Sequence, residues 1–259
     1  MIRFLLLMLP VALMTTPALA GIDETINSIT APIAVWVGTV VFFKIPLFGA
    51  QLPLVVLWLI AGAIFFTFYM QFINLRGFRH AIELVRGDYA DPKSAGEVSH
   101  FQALATAVSG TVGFGNIGGV AVAVTVGGAG ATFWLILAGF LGMSTKFVEC
   151  VLGVKYRNEN PDGSVSGGPM YYLRKGFRER GMDRFGKFIG AFYAVGIFIG
   201  ALGCMVQLGP LLDISDAFVF LICAPNILGM YFLATIVKRE FDVYAARFKA
   251  GKIKKFKNV

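Results

Sequence analysis

The sequence predicts an all-α integral membrane protein with about five membrane-spanning helices, each of about 20 apolar residues. Three observations support this fold class. Hydrophobic residues make up 57% of the 259 residues and charged residues only 15%, which is more apolar surface than one water-soluble core of this size requires. Charged residues are segregated along the chain, and basic residues collect in a few loops. Four long segments without Asp, Glu, Lys or Arg follow Lys44, namely 45–75, 98–145, 188–212 and 217–237.

The first 20 residues resemble a secretory signal peptide. Arg3 supplies a positive start, residues 4–14 form a short apolar run, and Ala18-Leu-Ala20 has the small-x-small form of a cleavage site. The alternative is an uncleaved first helix. Residues 21–51 carry one basic residue, Lys44, together with Pro, Gly and aromatic residues, so we expect an extracytoplasmic segment along the membrane surface.

Five membrane spans follow, and the positions of basic residues orient them. Basic residues concentrate in cytoplasmic loops. They follow the first span, the third span and the fifth span, which predicts an N-terminus outside and a cytoplasmic C-terminal tail at 238–259 in a bacterial inner membrane. Spans two and three are expected to be joined by a tight turn at Gly127-Gly128-Ala129-Gly130. The predicted spans are 52–74, 101–126, 131–154, 188–207 and 217–237.

The net charge of +8 is explained by this topology. Basic loops at the cytoplasmic surface are attracted to anionic membrane lipids by about 1 kcal/mol per residue. Membrane lipids are therefore expected partners, and nucleic acid is not. His80 and His100 lie apart from acidic or cysteine partners at ligand spacing, and the three cysteines are scattered, so the sequence predicts neither an enzyme nor a resident cofactor.

The second span contains an unusual concentration of glycine. Five glycines occur in the segment 109–119, and each weakens a helix by up to about 1 kcal/mol relative to alanine. We therefore expect a broken helix within 101–126. Backbone groups freed at membrane depth are tolerated only beside a polar cavity or inside protein. Ser109, Thr111 and Asn116 would add two hydroxyls and an amide to such a cavity.

The glycine spacing of this segment also matches two other patterns. Gly113, Gly115 and Gly118 match the spacing of a dinucleotide-binding fingerprint, but that motif requires a preceding strand and an acidic residue about 20 positions later, where this chain is apolar. Gly115 and Gly119 also form a small-xxx-small pair, which would let another helix approach closely. Close packing is compatible with a cavity, so that alternative stays open.

Ordered motifs in the chain resemble the alanine or glycine:cation symporter family. The similarity covers roughly residues 21–207, with departures at Gly118, Ala129 and Cys204, where the family usually has alanine, proline and asparagine. The matching segments are FQALATAVSGTVGFGNIGGVA at 101–121, GGAGATFW at 127–134, GMSTKFVEC at 142–150, KYR at 155–157 and GGPMYY at 167–172.

The resemblance implies a fold, a function and a set of site residues. The family resembles leucine-transporter-type symporters, with two inverted repeats, and couples sodium entry to uptake of alanine, glycine or similar small neutral amino acids. Sodium would be the coupling ion, with possible contacts at Thr111 and Asn116. Gln207 matches a site glutamine, although it could equally cap the end of a span. The substrate and cation residues implied in this way are Gly110, Thr111, Gly113, Gly115, Asn116 and Gln207.

After Gln207 the chain no longer follows the family's order of helices. Residues 208–237 are similar to the last transmembrane helix of the same family, and the intervening helices are missing. We therefore expect an internal deletion, which leaves a partial leucine-transporter-like fold. Because the inverted-repeat design places substrate between two halves, the alternative to an active symporter is a non-transporting membrane remnant of such a gene.

Overall fold

The computed structural model describes most of the chain, and the predicted signal peptide lies outside the described part. The described residues are 28, 31–47, 49–90, 98–112, 114–205, 209–253 and 255. Over these residues the protein is mostly helical, with two short antiparallel hairpins. The helices are long and apolar, which agrees with the predicted class of a multi-pass, helical membrane protein.

The segment before the first predicted span folds into a helix and a hairpin. Helix α1 spans Ala31–Val41. Strand β1 (Lys44–Leu47) pairs with β2 (Ala50–Pro53) in an antiparallel register that places Lys44 opposite Pro53. Gly49 joins the strands with φ +81°, a conformation that glycine adopts without steric cost.

Helix α2 is shorter than the first predicted span. It spans Leu54–Tyr69, and its 16 residues correspond to about 24 Å. It ends because Gln71 and Phe72 both adopt left-handed backbone conformations, with φ near +55°. The chain then forms two short helices, α3 (Ile73–Arg76) and α4 (Phe78–Val85).

The glycine-rich segment is divided between two helices. Helix α5 spans His100–Thr111 and begins with a capping box, in which Ser99 and Gln102 each accept a backbone N–H of the other. Val112 follows in an extended conformation (φ −82°, ψ 104°), and α6 begins at Phe114.

Helix α6 runs from Phe114 to Lys155 and contains a second interruption. Gly128 has φ 62° and ψ −159°, which is outside the helical region. Spans two and three were expected to be separated by a tight turn here. Two helical stretches meet at Gly128, inside the predicted turn, and helical backbone geometry resumes directly on both sides of that single glycine.

The segment after α6 packs as an amphipathic helix between two longer helices. Strands β3 (Asn158–Glu159) and β4 (Val165–Ser166) form a small hairpin. Helix α7 (Pro169–Glu179) starts with proline in its first turn. Helix α8 spans Asp183–Met205, and α9 spans Gly209–Lys249 with Pro225 inside it. The predicted basic tail thus continues the last helix as far as Lys249.

Three helical segments of the described chain are long and apolar enough to cross a membrane: Ile117–Lys155, Asp183–Ala201 and Asp216–Lys249. This count is lower than the predicted five for two reasons. Helix α2 ends early at Gln71 and Phe72. The second and third predicted spans fall within the one segment Ile117–Lys155, on the two sides of the kink at Gly128.

Contacts divide the molecule into two compact units. One contains the described residues up to Leu57 together with Ala194–Ala224. Its core is formed by Val37, Val41 and Ala217, against which Phe42 and Phe220 pack edge to face with ring centroids 5.2 Å apart. The other contains Trp58–Tyr193 and Pro225–Val259, with a larger core that includes Phe66, Leu152, Tyr172, Leu173, Phe177, Met230 and Leu233.

Candidate functional site

The predicted site residues flank the break between α5 and α6. Gly110 and Thr111 are the last two residues of α5, and Gly115 and Asn116 lie in the first turn of α6. Gly113 and Gln207 lie outside the described residues. The structure therefore brings four of the six predicted residues to one interruption in the chain.

This interruption places two helix ends of opposite polarity next to each other in sequence. The last carbonyl groups of a helix and the first N–H groups of a helix lack intrahelical partners, and they carry partial negative and positive charge. The C-terminal end of α5 can therefore attract a cation, and the N-terminal end of α6 can attract a carboxylate.

The Thr111 side chain reinforces the end of α5. Its hydroxyl donates a hydrogen bond to the carbonyl oxygen of Ala107 at 2.6 Å, one turn earlier. A hydroxyl oxygen can also accept hydrogen bonds or bind a cation through its lone pairs. This orientation suits an oxygen ligand for a hard cation such as sodium.

The site is open in this structure. Helix α5 contains no buried residue, and the most apolar window of Ile117–Lys155 is likewise without buried positions. A Cβ built on Gly110 would meet nothing within 4 Å. The described part of the chain thus supplies the two helix ends, and the residues of α5 on one side of the break are exposed.

A second polar group, which the sequence analysis did not identify, joins α2 and α3 to α6. The Thr67 hydroxyl, fully buried, lies 2.8 Å from the carbonyl oxygen of Ala63 and 3.2 Å from that of Leu141. The Asn74 amide donates to the carbonyl oxygen of Phe140 at 3.0 Å. One turn further along α6, the hydroxyls of Ser144 and Thr145 are buried without a hydrogen-bond partner among the described residues.

These groups could have been suspected from the sequence. Thr, Asn and Ser inside apolar segments often bond to a neighbouring transmembrane helix. The missing information was which helices are neighbours, because Thr67 and Leu141 are 74 residues apart. The interaction fixes the part of α6 that follows the kink at Gly128.

Helix α7 is anchored to the end of α6 and to α9. The Lys175 ammonium group donates to the carbonyl oxygens of Tyr156 (2.9 Å) and Arg157 (3.2 Å) and to the Asn158 side chain. Lys175 thereby caps the C-terminus of α6. The buried Tyr172 hydroxyl donates to the Asn226 side chain, next to the proline of α9.

A tyrosine just after α6 holds the far end of α7. The Tyr156 hydroxyl donates to a carboxylate oxygen of Glu179 at 2.6 Å. Burial raises the pKa of the Tyr156 phenol, and the neighbouring carboxylate adds to the rise. The phenol therefore remains a hydrogen-bond donor at neutral pH.

Comparison with known proteins places most of this chain in one family. The family described as the sodium:alanine symporter family matches residues 45–202, which include both the helix break and α7. The sodium/alanine symporter AgcS of Methanococcus maripaludis is 41% identical over 165 residues, covering 62% of this chain and 35% of that protein.

Other relatives carry related descriptions. The probable sodium/glutamine symporter GlnT of Bacillus subtilis is 34% identical over 142 residues, which is 55% of this chain and 28% of that protein. An uncharacterized transporter of Escherichia coli, YaaJ, is 39% identical over 129 residues, which is 49% of this chain and 27% of that protein. The chain thus spans between about a quarter and a third of the length of these curated relatives. No solved structure shows significant similarity to it.

Proposed function

Since the chain belongs to the sodium:alanine symporter family, whose members are transporters and not enzymes, we propose that it serves in sodium-coupled symport of small neutral amino acids such as alanine or glycine. The observation that carries this proposal is the break between Thr111 and Phe114. The break lies inside the segment that matches the family. At the break, the C-terminal end of α5, with its unpaired carbonyl groups, is followed by the N-terminal end of α6, with its unpaired N–H groups.

In this mechanism the sodium ion binds first at the end of α5. The Thr111 hydroxyl oxygen, the Asn116 amide oxygen and backbone carbonyl groups near Gly110 are its ligands. The carboxylate of the amino acid then binds the N–H groups at the start of α6, near Gly115, where the positive helix end favours it. Gly113 allows close approach of the backbone, and Gln207 contributes a further polar contact.

The protein is proposed to lie in a bacterial inner membrane, with its N-terminus outside and its C-terminus in the cytoplasm. The support for this orientation is the concentration of basic residues in the 155–187 segment and after Val237.

Uptake of labelled alanine into proteoliposomes tests the proposal. We expect the full chain to accumulate alanine when an inward sodium gradient is imposed, and potassium in place of sodium to abolish accumulation. Thr111→Ala should lower the initial rate about tenfold, which corresponds to about 1.4 kcal/mol.

A matched control is available in the same part of the chain. Thr125 makes the same type of bond, from its hydroxyl to the carbonyl oxygen of Ala121 at 2.8 Å, and it lies away from the break. Thr125→Ala should therefore leave uptake unchanged. An equal loss in both variants would assign the effect to helix stability and would contradict a cation site at Thr111.

The second candidate function is that of a membrane protein that does not itself transport. It is favoured by one observation, namely that the chain spans only between about a quarter and a third of the length of the symporters and transporters it matches. On this hypothesis the chain inserts into the membrane in full but shows no uptake above empty vesicles under any cation gradient. Uptake driven by a proton gradient alone would show that the chain transports alanine but that protons, and not sodium ions, drive the transport.

A further inference from the structure

A groove lies between α7 and the first turns of α8. It has a volume of about 430 Å³ and is lined by Met170, Tyr171 and Arg174 of α7 and by Lys187, Gly190 and Ala191 of α8. The opposite face of α7, with Tyr172, Leu173 and Phe177, is buried. The groove is therefore built on the outward face of an anchored helix, and it is distant in sequence from the proposed transport site.

Two glycines of α8 bring the helices close enough to form the groove. A Cβ on Gly190 would lie 2.9 Å from the carbonyl oxygen of Met170 and 3.5 Å from the Cβ of Arg174. A Cβ on Gly186 would lie 2.9 Å from the carbonyl oxygen of Arg174. This contact places a basic side chain of each helix, Arg174 and Lys187, on the same groove.

The groove carries an excess of positive charge. Lys187 is paired with Asp183 at 2.6 Å, and both side chains are partly exposed. Arg174 is exposed, and within the described part of the chain no carboxylate lies within ion-pairing distance of it. Six basic residues and two acidic residues occur between 174 and 187. The local field therefore favours an anion.

Exposed aromatic residues border the groove on α8. Phe188 is 68% exposed and lies one turn before Ala191 on the helix surface, where its ring stacks on Phe192 with centroids 6.4 Å apart. Helix α8 is a candidate membrane span that begins at Asp183. The cationic groove thus lies at one end of a span, and apolar surface begins beside it.

We propose that this groove binds the phosphate group of an anionic phospholipid. The Arg174 guanidinium group holds the phosphate with two N–H donors, and the Lys187 ammonium group adds a point charge. Phe188 and Met170 contact the acyl chains, and Tyr171 lies at the level of the head group. Basic pockets at the ends of transmembrane helices are recurrent sites for anionic lipids.

The proposal requires only that the chain lies in a membrane. It stands or fails independently of alanine uptake, because none of the groove residues belongs to the break between α5 and α6. Its consequence for the protein is that α7, which holds the end of α6, is fixed to the lipid head-group layer.

Lipid binding to the purified full chain in detergent tests the proposal. We expect fluorescent phosphatidylglycerol to bind at least about tenfold more tightly than phosphatidylcholine, because two cationic side chains contribute about 1 kcal/mol each. Arg174→Gln and Lys187→Gln should each weaken phosphatidylglycerol binding about fivefold and leave phosphatidylcholine binding unchanged.

The control variant is Arg178→Gln. It removes the same charge from an exposed position one turn along α7, outside the groove, and should change binding less than twofold. Equal affinity of the wild type for the two lipids would overturn the proposal. So would an equal loss in Arg178→Gln and Arg174→Gln, which would indicate diffuse attraction without a site.

A measurement on the wild type keeps the test independent of variant folding. Phosphatidylglycerol with a photoreactive acyl chain should label peptides that contain Phe188, and excess unlabelled phosphatidylglycerol should compete. Displacement by dissolved inorganic phosphate at equal concentration would identify a free-anion site instead and would contradict the lipid assignment.

Discussion

At the scale of single residues, a glycine of α8 decides how closely that helix can pack against α7. A Cβ on Gly186 would lie 2.9 Å from the carbonyl oxygen of Arg174, 2.9 Å from the Cβ of Phe177 and 3.2 Å from the carbonyl oxygen of Leu173. Backbone atoms and a Cβ cannot move aside as the end of a long side chain can. The packing of α7 on α8 therefore depends on the absence of a side chain at position 186.

We expect Gly186→Ala to destabilise the protein by about 1–3 kcal/mol, the usual cost of overpacking. Thermal unfolding in detergent measures the change. Gly139→Ala in α6 is the control, since a Cβ there would meet nothing within 4 Å, and it should be neutral or stabilising by up to about 1 kcal/mol. A Gly186→Ala protein as stable as the control would show that α7 and α8 separate at no cost.

The bond between Tyr172 and Asn226 makes a second residue-scale prediction. Tyr172→Phe removes the donor and leaves the Asn226 acceptor unpaired, which should cost about 1 kcal/mol. Because the two residues share one bond, the double variant Tyr172→Phe with Asn226→Leu should cost less than the sum of the single variants. Strict additivity in unfolding experiments would show that the bond contributes nothing.

At the scale of elements, the end of α6 is stabilised by a residue from another helix. Lys175 of α7 contacts the backbone carbonyls of Tyr156 and Arg157, and Lys155 pairs with Glu240 of α9 at 2.6 Å. The carbonyl groups just after α6 thus acquire these donors only when α7 is in place, and Lys155 acquires its carboxylate partner only when α9 is in place. Folding of the three helices is coupled at this point.

Lys175→Met should therefore loosen the end of α6 without unfolding the protein. We expect a loss of about 1–3 kcal/mol, because two carbonyl groups and the Asn158 side chain lose their donor. Hydrogen exchange should accelerate at residues 152–158 and remain unchanged in α2. Arg178→Met, on the exposed face of the same helix, is the control; equal acceleration in both variants would remove Lys175 from its capping role.

The elements also show which features the sequence makes visible. Glycine content predicts an interruption near Thr111, and α5 ends at that residue. Gly128 lies in the predicted turn and has a positive φ. The early end of α2 was not predicted, because Gln71 and Phe72 have no strong tendency to stop a helix. Pairs such as Thr67 with Leu141 depend on tertiary packing, which a single sequence does not reveal.

At the scale of the whole molecule, α5 and the described part of α6 as far as Met143 contain no buried residue. Phe101, Val112, Ile117, Val122 and Val126 are all more than half exposed. The helices around α7, in contrast, form a core with fully buried Tyr172, Leu173 and Phe177. Exposed apolar surface of this extent requires a covering of lipid or protein, and the site at the break shares that requirement.

The number of membrane crossings decides whether that site can face both sides of the membrane. Five crossings place Ala129 outside and both Asp162 and Lys252 in the cytoplasm. With Cys150, Cys204 and Cys223 replaced by serine, single cysteines at positions 129, 162 and 252 can be probed with a membrane-impermeant maleimide. We expect labelling at 129 in intact cells, and at 162 and 252 only after the membrane is permeabilised.

Protection of position 129 under both conditions would place the kink at Gly128 within the membrane and reduce the count to three. Labelling of position 252 in intact cells would reverse the orientation, and with it the direction in which the break between α5 and α6 could take up its substrate.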